Sequence, residues 1–177
     1  YRQVNTCYRQ DYELLMNSGL YVKLTESKLL ISHEEVENAF LLTNESESNA
    51  DNETCLEQFY KCLKPEQIPF ISYPYEWSWS QLKDAALVTL RIQKMALTHG
   101  MSLKDASAYN IQFLKGKPVL IDTLSFEELD QNVPWKAYGQ FCQHFLAPLA
   151  LMSHRDIRLS QLLRVYIDGV PIDLASA

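Results

Sequence analysis

Hydrophobic and polar positions divide this chain into stretches of different period. Residues 78–99 hold the clearest helical run, with Leu82, Ala85, Ala86, Leu90, Ile92, Met95 and Leu97 spaced three and four apart as a broad buried face. Ser78 and Gln81 form a capping box at its start, and Gly100 supplies a left-handed stop. His99, just before that stop, is expected to bond the helix end. Residues 8–30 repeat the pattern through Tyr12, Leu15, Met16, Leu20 and Leu24, but Asn17, Ser18 and Gly19 interrupt it, which predicts two short helices. A further helix is expected from Pro134 through Phe141, Phe145 and Leu149, kinked or ended by Pro148, and another over 157–166 before an Asp168-Gly169 turn.

Elsewhere the period shortens. Residues 111–114 and 118–121 are rich in branched and aromatic side chains, and Lys115-Gly116-Lys117 between them suits a tight turn, so a hairpin is expected. Residues 1–4 read as the tail of a strand, and 36–42 and 56–63 as two more. Between those two, residues 43–54 (TNESESNADNET) contain four acids, no basic residue and only Ala50 as an apolar one, a composition expected of a mobile surface loop. Residues 64–79 (KPEQIPFISYPYEWSW) carry prolines that forbid a helix; Ile68, Phe70 and Ile71 are expected to form a short buried strand, and 126–129 a loop or turn.

Composition narrows the classes. A chain of 177 residues accommodates one domain or a smaller and a larger lobe. A net charge of -6 without a basic cluster argues against a grip on nucleic acid. Cys7, Cys55, Cys62 and Cys142 form no CxxC pair, which signals neither a zinc site nor a disulfide framework. No apolar run is long enough to span a bilayer, and with no leader in this stretch a cytoplasmic location is expected, so the sequons at Asn44 and Asn52 are discounted. The stretch begins at Tyr1 and ends at Ala177 without a closing signal, and it reads as a piece of a longer protein.

The chemistry concentrates at residues 104–127. An acid, an amide and a second acid, Asp105, Asn110 and Asp122, flank the expected hairpin, which would bring Asn110 and Asp122 to one end where two oxygens could share a hard cation such as Mg2+. The competing reading is that all three are turn residues bonding their own backbone. This order and spacing resembles the protein kinases and related small-molecule phosphotransferases, such as the aminoglycoside phosphotransferases. The resemblance implies an α+β, two-lobed kinase-like fold, with 1–75 a reduced small lobe and 76–177 a mainly helical large lobe. It implies Asp105 as the base, Asn110 and Asp122 as Mg2+ ligands, and ATP as the nucleotide. It places Glu13 on the small-lobe helix with Arg2 as its strand partner, the alternative being a solvated Glu13. Tyr73, Tyr75 and Trp77 would line the adenine cleft, the alternative being an aromatic core with no ligand. Leu103-Lys104 stands where the family has His-Arg, and Asp122-Thr123-Leu124 where it has Asp-Phe-Gly. His154-Arg155-Asp156 copies the tripeptide, but Gln161 stands where an Asn is needed, so that segment is read as a helix start with charged flanks.

The runs IPFISYPYEWSWSQLKDAALVTL, SLKDASAYNIQF and IDTLSFE also resemble the N-terminal region of bacterial S-adenosylmethionine-dependent methyltransferases similar to nodulation proteins. That resemblance implies a parent methyltransferase whose catalytic domain and S-adenosylmethionine lie downstream. The five isolated glycines form no fingerprint for that cofactor here, nor a phosphate-covering loop, which would precede Tyr1. Two functions follow. One is a kinase-like accessory module that positions a small-molecule substrate or binds nucleotide weakly; the other is a working Mg2+-dependent phosphotransferase.

Overall fold

A computed structural model describes residues 1–36 and 59–176. The expected acidic loop at 43–54, both sequons, Cys55 and most of the strand expected at 36–42 lie outside them. The architecture is α+β. Strand β1 (Arg2–Asn5) leads through a short 3-10 turn into α1 (Arg9–Asn17) and α2 (Leu20–Glu26), followed by β2 (His33–Val36) and β3 (Phe59–Pro65). Gly19, at φ +80°, makes the break between the two helices. The strands form one antiparallel sheet in the order β1-β3-β2, with Arg2 opposite Leu63 and Glu35 opposite Leu63 on the other side.

A connector without strand structure follows. Phe70 and Ile71 are 74% and 51% exposed, so the buried strand expected there does not form. The prolines leave this segment no ladder, and its order comes instead from Gln112, whose side-chain amide accepts from Ser72 N and donates to Ser72 O, both at 3.0 Å. Helix α3 (Trp79–Leu97) then begins at the Ser78–Gln81 capping box and ends against Gly100 at φ +71°. His99 Nδ1 lies 2.8 Å from Met95 O at that end. Its buried face differs from the one expected: Leu90 and Leu97 are exposed, while Thr89 and Gln93 are buried. Gln93 is paired inside, donating to Ser102 Oγ at 3.0 Å and accepting from Leu103 N at 2.8 Å, which is what lets an amide occupy a core position.

Strand β4 (Met101–Leu103) pairs antiparallel with β7 (Phe126–Glu128), so the loop expected at 126–129 is partly a strand. Between them lies the hairpin of β5 (Ile111–Leu114) and β6 (Lys117–Leu120). The next helical stretch starts at α4 (Tyr138–Phe141), passes through a π-helical turn (Cys142–Leu146), and continues as α5 (Ala147–His154). Pro148 therefore does not end it: the wide turn precedes the proline, with Ala147 N donating to Cys142 O, and Gln143 O, which the proline cannot reach with an N–H, accepts from Val170 N at 2.9 Å instead. Asp156 caps the 3-10 turn at Ile157–Gln161, which runs into α6 (Leu162–Val165) and, after a bend, α7 (Ile172–Ser176).

The main core draws on both halves. Leu15, Leu20 and Leu24 of α1 and α2 pack in one cluster with Leu82 and Ile92 of α3, Phe126, and Phe141 and Phe145 of the later helix. Val4, Tyr8, Tyr12 and Leu63 form a smaller cluster beneath the sheet. Among the described residues no helix is long and apolar enough to cross a membrane.

Candidate functional site

The β5–β6 register determines where the site lies. Ile111 is opposite Leu120, so Asn110 and Ile121 leave the ribbon at the same end, and Ile121 N donates to Asn110 O at 2.8 Å. Asp122 then turns the chain. Its Oδ1 accepts from Leu124 N at 3.0 Å, and its Oδ2 from the Ser125 hydroxyl at 2.8 Å. Asn110 Nδ2 donates to that same hydroxyl oxygen at 3.3 Å. Asn110 and Asp122 are thus joined through one side chain, and Ser125 is only 1% exposed.

Ser125 also reaches the loop that carries Asp105. Its carbonyl accepts from Lys104 N at 2.8 Å, as part of the β4–β7 pairing. Asp105 Oδ1 accepts from Ser107 N at 2.8 Å, which closes a tight Asx turn, and Ala106 N donates to Gln140 Oε1 at 2.7 Å. The π-helical turn puts His144 within electrostatic reach of Asp105 and Asp168. Burial pushes the His144 pKa down and the two carboxylates only partly offset it, so the ring is held neutral, and its Nδ1 has no hydrogen-bond partner.

Arg2 is the other participant. Its guanidinium pairs with Asp122 Oδ1 at 2.5 Å, across 120 positions of sequence, against a carboxylate side chain that is 13% exposed. The pairing expected between Arg2 and Glu13 is not made. Glu13 instead accepts from Arg9 Nε and Tyr60 OH, both at 2.8 Å, because one helical turn places Arg9 beside it.

Asp122 and the Asn110 amide offer hard oxygens of the type that hold Mg2+. Every Asp122 oxygen nevertheless has a protein donor already, and one donor is a cation, so a metal here has to displace Arg2. Among the described residues no three acids, histidines or cysteines gather as a metal cluster.

The aromatic connector divides. Tyr73 and Tyr75 stack with ring centres 5.5 Å apart and planes 8° from parallel. Tyr75 lines an open cavity of about 550 Å3 with Gln81 and Arg164, whose guanidinium lies 5.6 Å from the Tyr75 ring centre; Asp105, Asn110 and Asp122 are not among its walls. Trp77 also borders that cavity but is packed into the core, being 3% exposed, edge-on to Phe113 at 5.2 Å, and donating to Ser72 Oγ at 2.9 Å. Asp156 is a helix cap held down to about 2 by Arg158, in keeping with the charged helix start expected of the copied tripeptide.

Ser125, Gln140 and His144 carry no motif of their own. Only Ser125 had a local cue, standing three positions after an Asp that could cap its own turn.

The fold and site define an α+β protein with a carboxylate, an amide and a buried hydroxyl gathered at one end of a hairpin. The chain is similar to the nodulation protein NoeA of Rhizobium meliloti (strain 1021), with 39% identity over 127 residues, which are 69% of this chain and 27% of that protein. The chain thus matches about a quarter of the length of that relative. No family model matches the chain. No solved structure matches it significantly.

Proposed function

We propose that this chain is a kinase-like accessory module of a larger S-adenosylmethionine-dependent methyltransferase, one that positions a small-molecule substrate and binds ATP with Mg2+ weakly. The observation that carries the weak-binding part is the state of Asp122: its carboxylate is neutralised by Arg2 and fully hydrogen-bonded by Leu124 and Ser125. The succession of elements supports the kinase-like part. A strand, a helical pair and two strands lead through a connector to a long helix, then to the Asp105 loop, the hairpin and Asp122, which is the succession that the phosphotransferase resemblance implies. Residues 1–75 then act as the small lobe and 76–177 as the large one. The methyltransferase parent rests on the resemblance of residues 68 onward to such proteins, and the similarity to a nodulation protein over a quarter of its length is compatible with a module inside a longer chain. S-adenosylmethionine is assigned to the rest of the parent, as that resemblance implies.

A bound Mg2+ would supply charge neutralisation at the nucleotide phosphates. Asn110 and Asp122 would hold it, Tyr73 and Tyr75 would face the base, and Asp105 would orient a hydroxyl of the substrate. The second reading, an active phosphotransferase with Asp105 as base, is favoured by the Lys104–Ser125 bond that ties the Asp105 loop to the Asn110–Asp122 pair.

Incubation of the protein with ATP, Mg2+ and a cell extract separates the two. The accessory reading predicts ATP consumption no faster than in an Asp105→Asn control. Consumption lost on Asp105→Asn and on Asp122→Ala would establish the phosphotransferase instead.

A further inference from the structure

A cavity of about 380 Å3 lies away from that site, between the end of α2, the start of β2, the end of β3 and the tip of the β5–β6 hairpin. Its volume lies within the range of ligand pockets, roughly 300–1,000 Å3. Leu30 and Val119, 2% and 3% exposed, contribute apolar surface. The walls are fixed to each other by backbone bonds, Ile31 N to Leu120 O and Leu120 N to Leu29 O, both 2.9 Å. Lys28, Lys115 and Lys117 stand around it against one carboxylate, Glu66, which accepts from Ser32 Oγ at 2.9 Å. Among the described residues none of those lysines forms an ion pair.

The backbone under two of the lysines is the distinctive feature. Lys28 and Lys115 are the two non-glycine residues with positive φ among the described residues, at +56° and +52°. Lys28 follows the cap of α2, where Leu29 N donates to Leu24 O and Lys28 N to Thr25 O, a helix stop that favours glycine. Lys115 opens the two-residue hairpin turn ahead of Gly116 at φ +76°, a position that favours asparagine or glycine. A left-handed backbone costs stability for any residue with a Cβ. Two such costs are carried on two different elements that line one cavity, both by lysines, in a chain whose net charge is -6. Strain retained at two residues that line one cavity is a reason to look for a ligand there.

We propose that this cavity binds a small amphipathic anion, with a carboxylate or phosphate head held by Lys28, Lys115 and Lys117 and an apolar body against Leu30 and Val119. The inference is independent of the role given to Asp105, Asn110 and Asp122. Calorimetric titration with octanoate, octyl phosphate, octan-1-ol and acetate tests it. At least one of the two long-chain anions should bind at one per chain, at least tenfold tighter than octanol and acetate, and the tighter of the two identifies the head group. Lys28→Gly/Lys115→Gly should melt above the wild type, because both positions favour glycine, and yet bind that anion at least tenfold more weakly. Lys117→Gln, at an exposed strand start, should weaken binding several-fold without moving the melting temperature. Octanol binding as tightly as the anions, no anion binding at millimolar concentration, or wild-type affinity in the double-glycine variant would overturn the proposal.

Discussion

Ser125 is small and unremarkable in sequence, yet its hydroxyl donates to Asp122 and accepts from Asn110 while its carbonyl accepts from Lys104. Removing that hydroxyl leaves Asp122 Oδ2 short of a donor in a partly buried place. Ser125→Ala should therefore lower stability by about 1–3 kcal/mol, seen as a lower urea midpoint at unchanged slope. His33 and His144 act at the same scale through protons. Burial pushes both rings' pKa values down, partly offset by Glu35 for His33 and by Asp105 and Asp168 for His144. His33 Nε2 lies 3.0 Å from Tyr12 OH, whose own proton goes to Glu35 at 2.9 Å, and neither histidine has a partner for Nδ1. The folded state keeps both rings neutral while the unfolded chain protonates them near the ordinary value of about 6.5. Unfolding then takes up protons below that pH, so stability is constant above it and falls as pH drops towards the folded values. The slope is at most about 1.4 kcal/mol per pH unit for each histidine. Urea titrations between pH 7.5 and 5.5 should show this loss, and His144→Phe should reduce the slope.

At the scale of elements, two glycines with positive φ separate backbone strain from crowding. Gly116 at +76° has open space where a Cβ would go, whereas at Gly169, φ +103°, a Cβ would sit 2.6 Å from Gln143 Cβ and 3.3 Å from His144 Cδ2. Gly116→Ala should cost about 1–2 kcal/mol from the backbone alone. Gly169→Ala should cost about 1–3 kcal/mol more, because it forces the π-helical turn that holds His144. Thermal melts of the two variants check the order. The elements themselves were largely legible: the α3 cap, the α1–α2 break and the hairpin each carry a local signal in Ser78, Gly19 and Gly116. What was illegible depends on partners far away in sequence. Gln93 is buried because Ser102 and Leu103 receive it, β7 exists because β4 lies beside it, and the helix runs past Pro148 because a wide turn precedes the proline. The proximity of Asn110 and Asp122 followed from the hairpin register, but the part played by Arg2 there did not, since nothing local distinguishes a guanidinium 120 residues away.

At the scale of the molecule, apolar packing, hydrogen bonds and, among the described residues, one ion pair fasten the N-terminal part to the helical half. Leu15, Leu20 and Leu24 share the core of α3, Tyr8 OH donates to Phe126 O at 2.5 Å, and Arg2 of β1 reaches Asp122. Arg2 therefore both joins the halves and occupies the carboxylate that a metal would need. Arg2 itself is 43% exposed, and Asp122 keeps its bonds from Leu124 and Ser125 without it, so removing Arg2 should change metal affinity while leaving the fold intact. The most direct test is titration with Mn2+ alone, followed by electron paramagnetic resonance, in the wild type, Arg2→Ala and Arg2→Ala/Asp122→Asn. Omitting nucleotide isolates the carboxylate from any phosphate contact of Arg2. The account predicts weak binding by the wild type, about fivefold tighter binding by Arg2→Ala, and loss of that gain in the double variant. Tight binding by the wild type, or identical affinities in the wild type and Arg2→Ala, would contradict it.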